Sequence, residues 1–315
     1  MNTFFRTRGV VLVPSDLSLA DWLERAKKAG LTTIGLHHGV SPKIVEDFIR
    51  GETGQKFLES CRKLGMEVEY ELHAIRELLP RDLFEKDKTL FRMNNKGERA
   101  ADSNLCVHSE RALEIVAENA VAISKVLRPT TSRYFLWGDD AQPWCRCKEC
   151  KEFSDTDQSL LLENWLLKTL HQHDACATVA HLAYANTLAP PKQIKPDAGI
   201  FLEFAPIEMR HRRQQTTYSD AVNRAECNAL EANLKVFPAE TAQALEYWLD
   251  ASMYSNWKRP SLKIPFDSDK IASDLKFYRD HGIRHITSFA VYVDADYLKL
   301  HGEPPLAEYG KLLLE

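Results

Sequence analysis

The chain has 315 residues and 36.0 kDa, with 44% hydrophobic and 27% charged residues, which is ordinary for a soluble globular protein with a core large enough to need no staples. A formal net charge of −4, a pI near 6.3 and the lack of a basic stripe argue against a nucleic-acid partner. No run of 18 apolar residues occurs, so no membrane-spanning helix is expected.

The length fits one α/β barrel covering residues 1–315. The N-terminal MNTFFRTRGVVLVPSD lacks the longer apolar region and small-residue cleavage site of a signal peptide. As it stands the chain reads as cytoplasmic, and a chain trimmed of an export signal would read the same. Strand-like and helix-like segments then alternate, which argues for parallel strands joined by helical crossovers. Strand one is Gly9–Val13, and the helix after it stops at Gly30. Strand two, Thr32–Leu36, runs into His37-His38-Gly39, and a helix near 54–64 stops at Gly65. Strand three is Glu67–Leu72, running into His73.

A long polar insertion, about 74–107, precedes the helix 109–127. Strand four, Arg133–Trp137, opens into Gly138-Asp139-Asp140, and a second long loop, 141–156, leads to the helix 157–171. Strand five is about 176–184, and its Pro-rich connection shows no helical pattern, so the fifth helix is expected to be missing. Strand six, Gly199–Phe204, precedes a helix near 219–234. Strand seven is placed at Gln243–Leu249, although QALEYWLDASMY also reads as helix. A helix at 268–281, strand eight at His285–Val291 and a helix at 305–314 close the pattern. Eight strands with helices between them predict a (β/α)8 TIM barrel with long loops after strands three and four.

In such a barrel the βα loops build the site, so polar residues at the C-terminal ends of strands are the candidates. Asp139 and Asp140 end strand four; adjacent carboxylates repel, and one should retain a proton near neutral pH. That suits glycosidic-bond hydrolysis, which needs an acid for the leaving oxygen and a second carboxylate. A solvated turn is the structural alternative. Glu203, flanked by apolar residues, and Glu246 are candidates for the second carboxylate. His37, His38, His73, Trp137, Tyr184, Tyr247, Asp250, Trp257, Tyr292 and Asp294 are candidates for the sugar subsite. Adjacent strand residues point to opposite faces, so only one of His37 and His38 is expected to face the mouth.

Seven Cys, an odd number, argue against a disulfide framework. Cys61, Cys106, Cys176 and Cys227 are scattered, whereas Cys145, Cys147 and Cys150 form C-x-C-x-x-C. Three thiols this close suit a closed zinc site with a fourth ligand from elsewhere, stapling the loop beside Asp140; free thiols or one disulfide are the alternatives.

The runs FRMNNKGERAADSNLCVHS, WGDDAQPWCRCKECKEFSDTDQSLLLENW, AYANTLAPPKQIKPDAGIFLEFAPI, LEYWLDASMYSNWKRP and ITSFAVYVDADYLKLHGEPPLAEYG resemble the domain-of-unknown-function family numbered 4838. The resemblance covers about 67–312, and the Cys-rich motif after the acidic pair is its most specific part. That family is similar to the barrel glycoside hydrolases of families 20 and 67, the hexosaminidases and α-glucuronidases. The resemblance implies a (β/α)8 barrel acting on or binding carbohydrate. In the family-20-like pattern strand four ends in Gly-Asp-Glu, where the Asp orients an acetamido group and the Glu is the acid. Asp139 matches that Asp, and Asp140 stands where the Glu would, one methylene shorter.

The expectation is therefore a glycoside-hydrolase-like enzyme with no cofactor in its catalysis. Asp140 is the acid, Asp139 assists, and Glu203 or Glu246 is the base or nucleophile. Two rivals share the fold. One is a non-catalytic carbohydrate-binding barrel. The other is a metal-dependent sugar isomerase or epimerase using His37 or His38 with Glu203 and Asp294. Amidohydrolase barrels fit poorly, because no His-x-His ends strand one.

Overall fold

A computed structural model describes residues 3–211 and 221–315. Eight parallel strands close into a barrel in chain order: β1 (Thr7–Leu12), β2 (Thr33–Leu36), β3 (Glu67–His73), β4 (Arg133–Trp137), β5 (Thr178–Ala183), β6 (Ile200–Phe204), β7 (Gln243–Glu246) and β8 (His285–Phe289). Closure comes from β8 pairing with β1, with Thr7 opposite His285 and Val11 opposite Phe289. These segments are short, mostly apolar on the face toward the helical layer and rich in β-branched or aromatic residues.

The outer layer is built from α1 (Trp22–Lys28), α2 (Pro42–Arg50), α3 (Glu52–Leu64), α4 (Ile75–Leu78), α5 (Glu110–Ser124), α6 (Asp155–Leu170), α7 (Ala221–Asn233), α8 (Ala251–Tyr254), α9 (Ser268–Asp280), α10 (Ala295–His301) and α11 (Leu306–Leu314). The connection after β5 holds one 3-10 turn, Ala185–Thr187, and no α-helix, as its prolines require. Besides the one-turn α4 inside the long insertion, two helices go beyond the sequence reading. One is α2, started by Ser41, whose Oγ accepts from the Lys43 N–H, and by Pro42 in the first turn. The other is α10, capped by the Asp294 carboxylate. The ambiguous QALEYWLDASMY is both strand and helix, divided between β7 and α8. The last helix seals the ring: a Cβ at Gly310 would lie 1.8 Å from the Ala29 carbonyl oxygen, so only glycine lets α11 approach this closely. Among the described residues no helix is long and apolar enough to cross a membrane.

Strand alternation sorts side chains between the helical layer and the barrel interior. On β6, Leu202 and Phe204 join the large outer core, whereas Phe201 faces inward with Val11, Phe135, Ala180, Leu245 and Phe289. The interior also holds a polar knot of Glu69, Glu71, Arg133, Glu203, Gln243 and Thr287. Gln243 receives Arg133 Nη2 at 3.0 Å and donates to Glu203 at 3.1 Å and Thr287 at 3.3 Å. Arg133 Nε lies 3.5 Å from Glu69, and its guanidinium stacks 3.9 Å over the Phe201 ring. One guanidinium faces three buried carboxyls, so burial pushes Glu69 and Glu71 upward and lifts Glu203 to about 8.

Candidate active site at the barrel mouth

A cleft of about 220 Å3 opens at the C-terminal ends of the strands. Its lining includes His37 and His38 after β2, His73 of β3, Trp137 and Asp140 at β4, and Tyr184 after β5. Tyr247, Asp250 and Trp257 follow β7, and Phe289 of β8 completes the ring. The outer wall is Trp257, 62% exposed and held at φ +54° by its backbone N–H on the Ser252 carbonyl, 2.7 Å away. Aromatic faces and polar tips therefore converge from most strands on one opening.

The histidines form a cluster of one stacked pair and one edge-on ring. His37 and His38 lie 4.5 Å apart between ring centroids, and His73 meets His37 edge-on at 5.9 Å. Both His37 and His38 face the mouth. The expectation that only one would is corrected here: β2 ends at Leu36, so His38 lies beyond the pleat and strand alternation no longer governs it. His37 Nδ1 sits 2.5 Å from the Glu71 carbonyl and His73 Nδ1 sits 2.7 Å from that of Gly138. A carbonyl only accepts, so Nδ1 carries a proton in each ring, which in His37 leaves Nε2 as the acceptor. His38 Nε2 receives the His73 backbone N–H at 3.1 Å. Burial, then the neighbouring imidazoles, hold His37 well below the usual histidine range and His38 at about 4. At neutral pH these two rings are uncharged hydrogen-bonding groups.

The two adjacent aspartates have separate surroundings. Asp140 is 64% exposed, lines the cleft and lies 3.9 Å from His73 Nε2. Asp139 lines no part of the cleft; its carboxylate is a clasp. It accepts the backbone N–H groups of Arg76 at 2.9 Å and Asn104 at 2.6 Å, with Arg81 at 3.7 Å. Asn104 completes the clasp. Its Oδ1 receives the Asp139 N–H at 2.8 Å, and its Nδ2 donates to the Gln142 and Pro143 carbonyls. Asp139 thus ties the loop after β3 to the loop after β4, which corrects its expected catalytic or acetamido-orienting role. Gly138 is required here, because a Cβ would lie 2.8 Å from the Trp144 ring.

Four other expected site residues lie elsewhere, two of them because of strand parity or depth. Glu203 points inward but is fully buried beneath the mouth, accepting from the Trp137 indole N–H at 2.8 Å. Glu246 points the opposite way. Gln243, Leu245 and Tyr247 take the interior positions of the β7 segment, so Glu246 faces α9 and hydrogen-bonds Tyr278. Asp294 caps α10 through the Tyr297 N–H at 2.9 Å and pairs with Arg259. Tyr292 is covered by the same Arg259, 4.0 Å over its ring, and supports Trp257 from behind rather than lining the cleft. The ligand set of the isomerase reading, a mouth histidine with Glu203 and Asp294, is therefore not brought together.

The second carboxylate at the mouth is Asp250. Its Oδ1 accepts from the Ser252 N–H at 3.0 Å, the Ser252 hydroxyl at 2.6 Å and the Met253 N–H at 3.3 Å. These donors fix the carboxylate's orientation at the start of α8. Asp250 and Asp140 both act electrostatically on the Tyr247 phenol.

Beside the cleft, four buried thiols gather: Cys106, Cys145, Cys147 and Cys150, with all sulfurs within 4.8 Å of one another. The three clustered cysteines lie together as the motif implies. Cys106 had seemed one of the scattered four.

The model of a domain of unknown function, DUF4838, matches residues 45–301. The chain belongs to the DUF4838 family. No curated protein matches this DUF4838 chain in sequence. Among solved structures it is similar to Gan42B, a GH42 β-galactosidase from G. stearothermophilus, with 13% identity and a TM-score of 0.58 over 99% of this chain and 57% of that one. The β-galactosidase from Rahnella sp. R3 gives 13% identity and a TM-score of 0.57 over the same shares. PbGH5A, a glycoside hydrolase family 5 enzyme from Prevotella bryantii B14 in complex with a xyloglucan tetradecasaccharide, gives 10% and 0.53 over 96% of this chain and 86% of that one. The DUF4838 chain thus spans little more than half of these two β-galactosidases. At these identities the likeness is one of fold: a glycoside-hydrolase-like (β/α)8 barrel.

Proposed function

We propose that this barrel binds a carbohydrate at its C-terminal mouth and hydrolyses a glycosidic bond there, with Asp140 as the general acid and Asp250 as the second carboxylate. The observation that carries the reading is the joining of these two carboxylates with aromatic walls and neutral imidazoles in one cleft. The faces of Trp257, Tyr184 and Tyr247 suit the C–H faces of a sugar ring, and His37, His38 and His73 suit its hydroxyls. At about 220 Å3 the cleft takes one ring, leaving the rest of a glycan in solvent. In this reading Asp140, the more exposed carboxyl, protonates the leaving oxygen beside His73. Asp250, oriented by three donors, meets the oxocarbenium-like centre from the other side or activates water. The chain's own carboxylates suffice for this chemistry, and no cofactor enters it.

One observation favours a second reading, a barrel that binds sugar without turnover. The Asp250 Oδ1 is already engaged in capping α8, as a purely structural aspartate would be. A screen of aryl glycosides and uronides, including N-acetylhexosaminides, separates the two. Hydrolysis of one class, lost in Asp140→Asn and in Asp250→Asn, supports the enzyme and names its sugar. Sugar-induced quenching of tryptophan fluorescence with no release over days supports the binding barrel.

A further inference from the structure

We propose that Cys106, Cys145, Cys147 and Cys150 hold a zinc ion in a closed tetrathiolate site that clips the two long loops of the barrel mouth together. Tetrahedral zinc with Zn–S bonds of about 2.3 Å puts its sulfurs about 3.8 Å apart. The Cys106 sulfur lies 3.7 Å from that of Cys147 and 3.8 Å from that of Cys150, close to that edge length and far from a disulfide bond of about 2.05 Å. All four residues are buried, so no coordination position opens to substrate and the site is structural rather than catalytic.

The groups around the sulfurs are those that thiolates need. The Met93 N–H donates to Cys145 at 3.3 Å, and the Cys147 N–H does so at 3.5 Å across the C-x-C turn. The Arg99 guanidinium reaches Cys145 at 3.7 Å, and His108 Nδ1 lies 3.1 Å from Cys150. Four thiolates and one divalent cation leave a net charge of −2. Arg99, with His108 as a donor, is placed to offset it. Soft sulfur donors in a tetrahedral set select zinc over the harder divalent cations. Binding releases the four thiol protons to solvent, and no electron is transferred.

The ligands come from both loops. Cys106 belongs to the loop after β3, two positions from Asn104, which clasps Asp139; the other three belong to the loop after β4. Gln158 of α6 secures the motif from below, accepting the Cys145 N–H at 3.1 Å and donating to the Cys145 and Cys150 carbonyls. The metal therefore fixes the backbone that carries Asp140. The proposal stands whether or not the cleft hydrolyses sugars.

The test is metal analysis of the full chain purified under reducing conditions without chelator, with cobalt substitution as a second readout. Expected are one zinc per chain and its loss in Cys106→Ser, with retention in Cys176→Ser, whose thiol is exposed and remote. Cobalt should produce the intense visible bands of a tetrahedral thiolate complex. Titrating the wild-type protein with cobalt keeps the proposal falsifiable if Cys106→Ser fails to fold. Absence of metal after reconstitution with excess zinc, a tetrathiolate that holds iron instead, or four thiols recovered as two disulfides would each overturn it.

Discussion

Asp139 and Asp140 are neighbours in sequence with opposite duties. The Asp139 carboxylate accepts two backbone N–H groups and faces Arg81, so its loss leaves one part-buried and one exposed donor unpaired. Asp139→Ala should destabilise the fold by ~1–2 kcal/mol, read as a lower midpoint in urea. Asp140 is mostly exposed and spans only solvent and the cleft, so Asp140→Asn should shift stability by less than about 0.5 kcal/mol. Equal effects of the two substitutions on stability would refute this division. The sequence identified the pair but not the division, because the distinguishing partner, Asn104, lies in the other loop, 35 residues away. Cys106 was obscured in the same way, 41 residues from Cys147 and outside any local spacing rule. What could have marked both is that they share one short polar run, SNLC, in a loop too long to be a plain connection.

The strands were legible as elements. Their apolar runs lie between helices that end at glycines of positive φ, among them Gly30, Gly65 and Gly282. The missing helix after β5 was legible from its prolines. Side-chain facing was less so. Glu246 would have been placed outside the barrel had the inward parity of Gln243 and Tyr247 been followed through β7. The depth of Glu203 could not be read from parity at all, because it depends on the stagger of β6 against β4. At this scale the critical joint is the turn from β4 into its loop. A methyl group at Gly138 would meet the Trp144 ring at 2.8 Å and Asn104 Oδ1 at 3.3 Å. Gly138→Ala should cost ~1–3 kcal/mol through overpacking and weaken ligand binding as the Asp139 clasp is displaced. Wild-type stability together with wild-type affinity in that variant would contradict the clasp.

For the whole molecule, the polar knot inside the barrel sets a pH dependence. Glu203 keeps its proton in the folded state up to about pH 8, because burial outweighs the attraction of Arg133. In the unfolded chain an ordinary glutamate releases its proton near pH 4.3. Between those values the folded state binds the extra proton, so this group's contribution to stability is full at low pH and falls as the pH rises. Glu71 shifts in the same direction. The melting temperature should therefore drop from pH 6 to pH 9. Glu203→Gln, which stays neutral, should flatten the drop, and an unchanged slope would argue against a protonated knot. Since Glu203 hydrogen-bonds Trp137, whose ring lines the cleft, ionisation of the knot is expected to reach the floor of the site.

In the proposed reading Asp140 is the proton donor. The most direct measurement is the hydrolysis rate of wild type and Asp140→Asn on glycosides of one accepted sugar with leaving groups of graded acidity. The account predicts a loss of about 10²–10⁴-fold on poor leaving groups. The loss should shrink as the leaving group becomes able to depart without a proton. Undiminished turnover of the poor leaving groups by Asp140→Asn would contradict it.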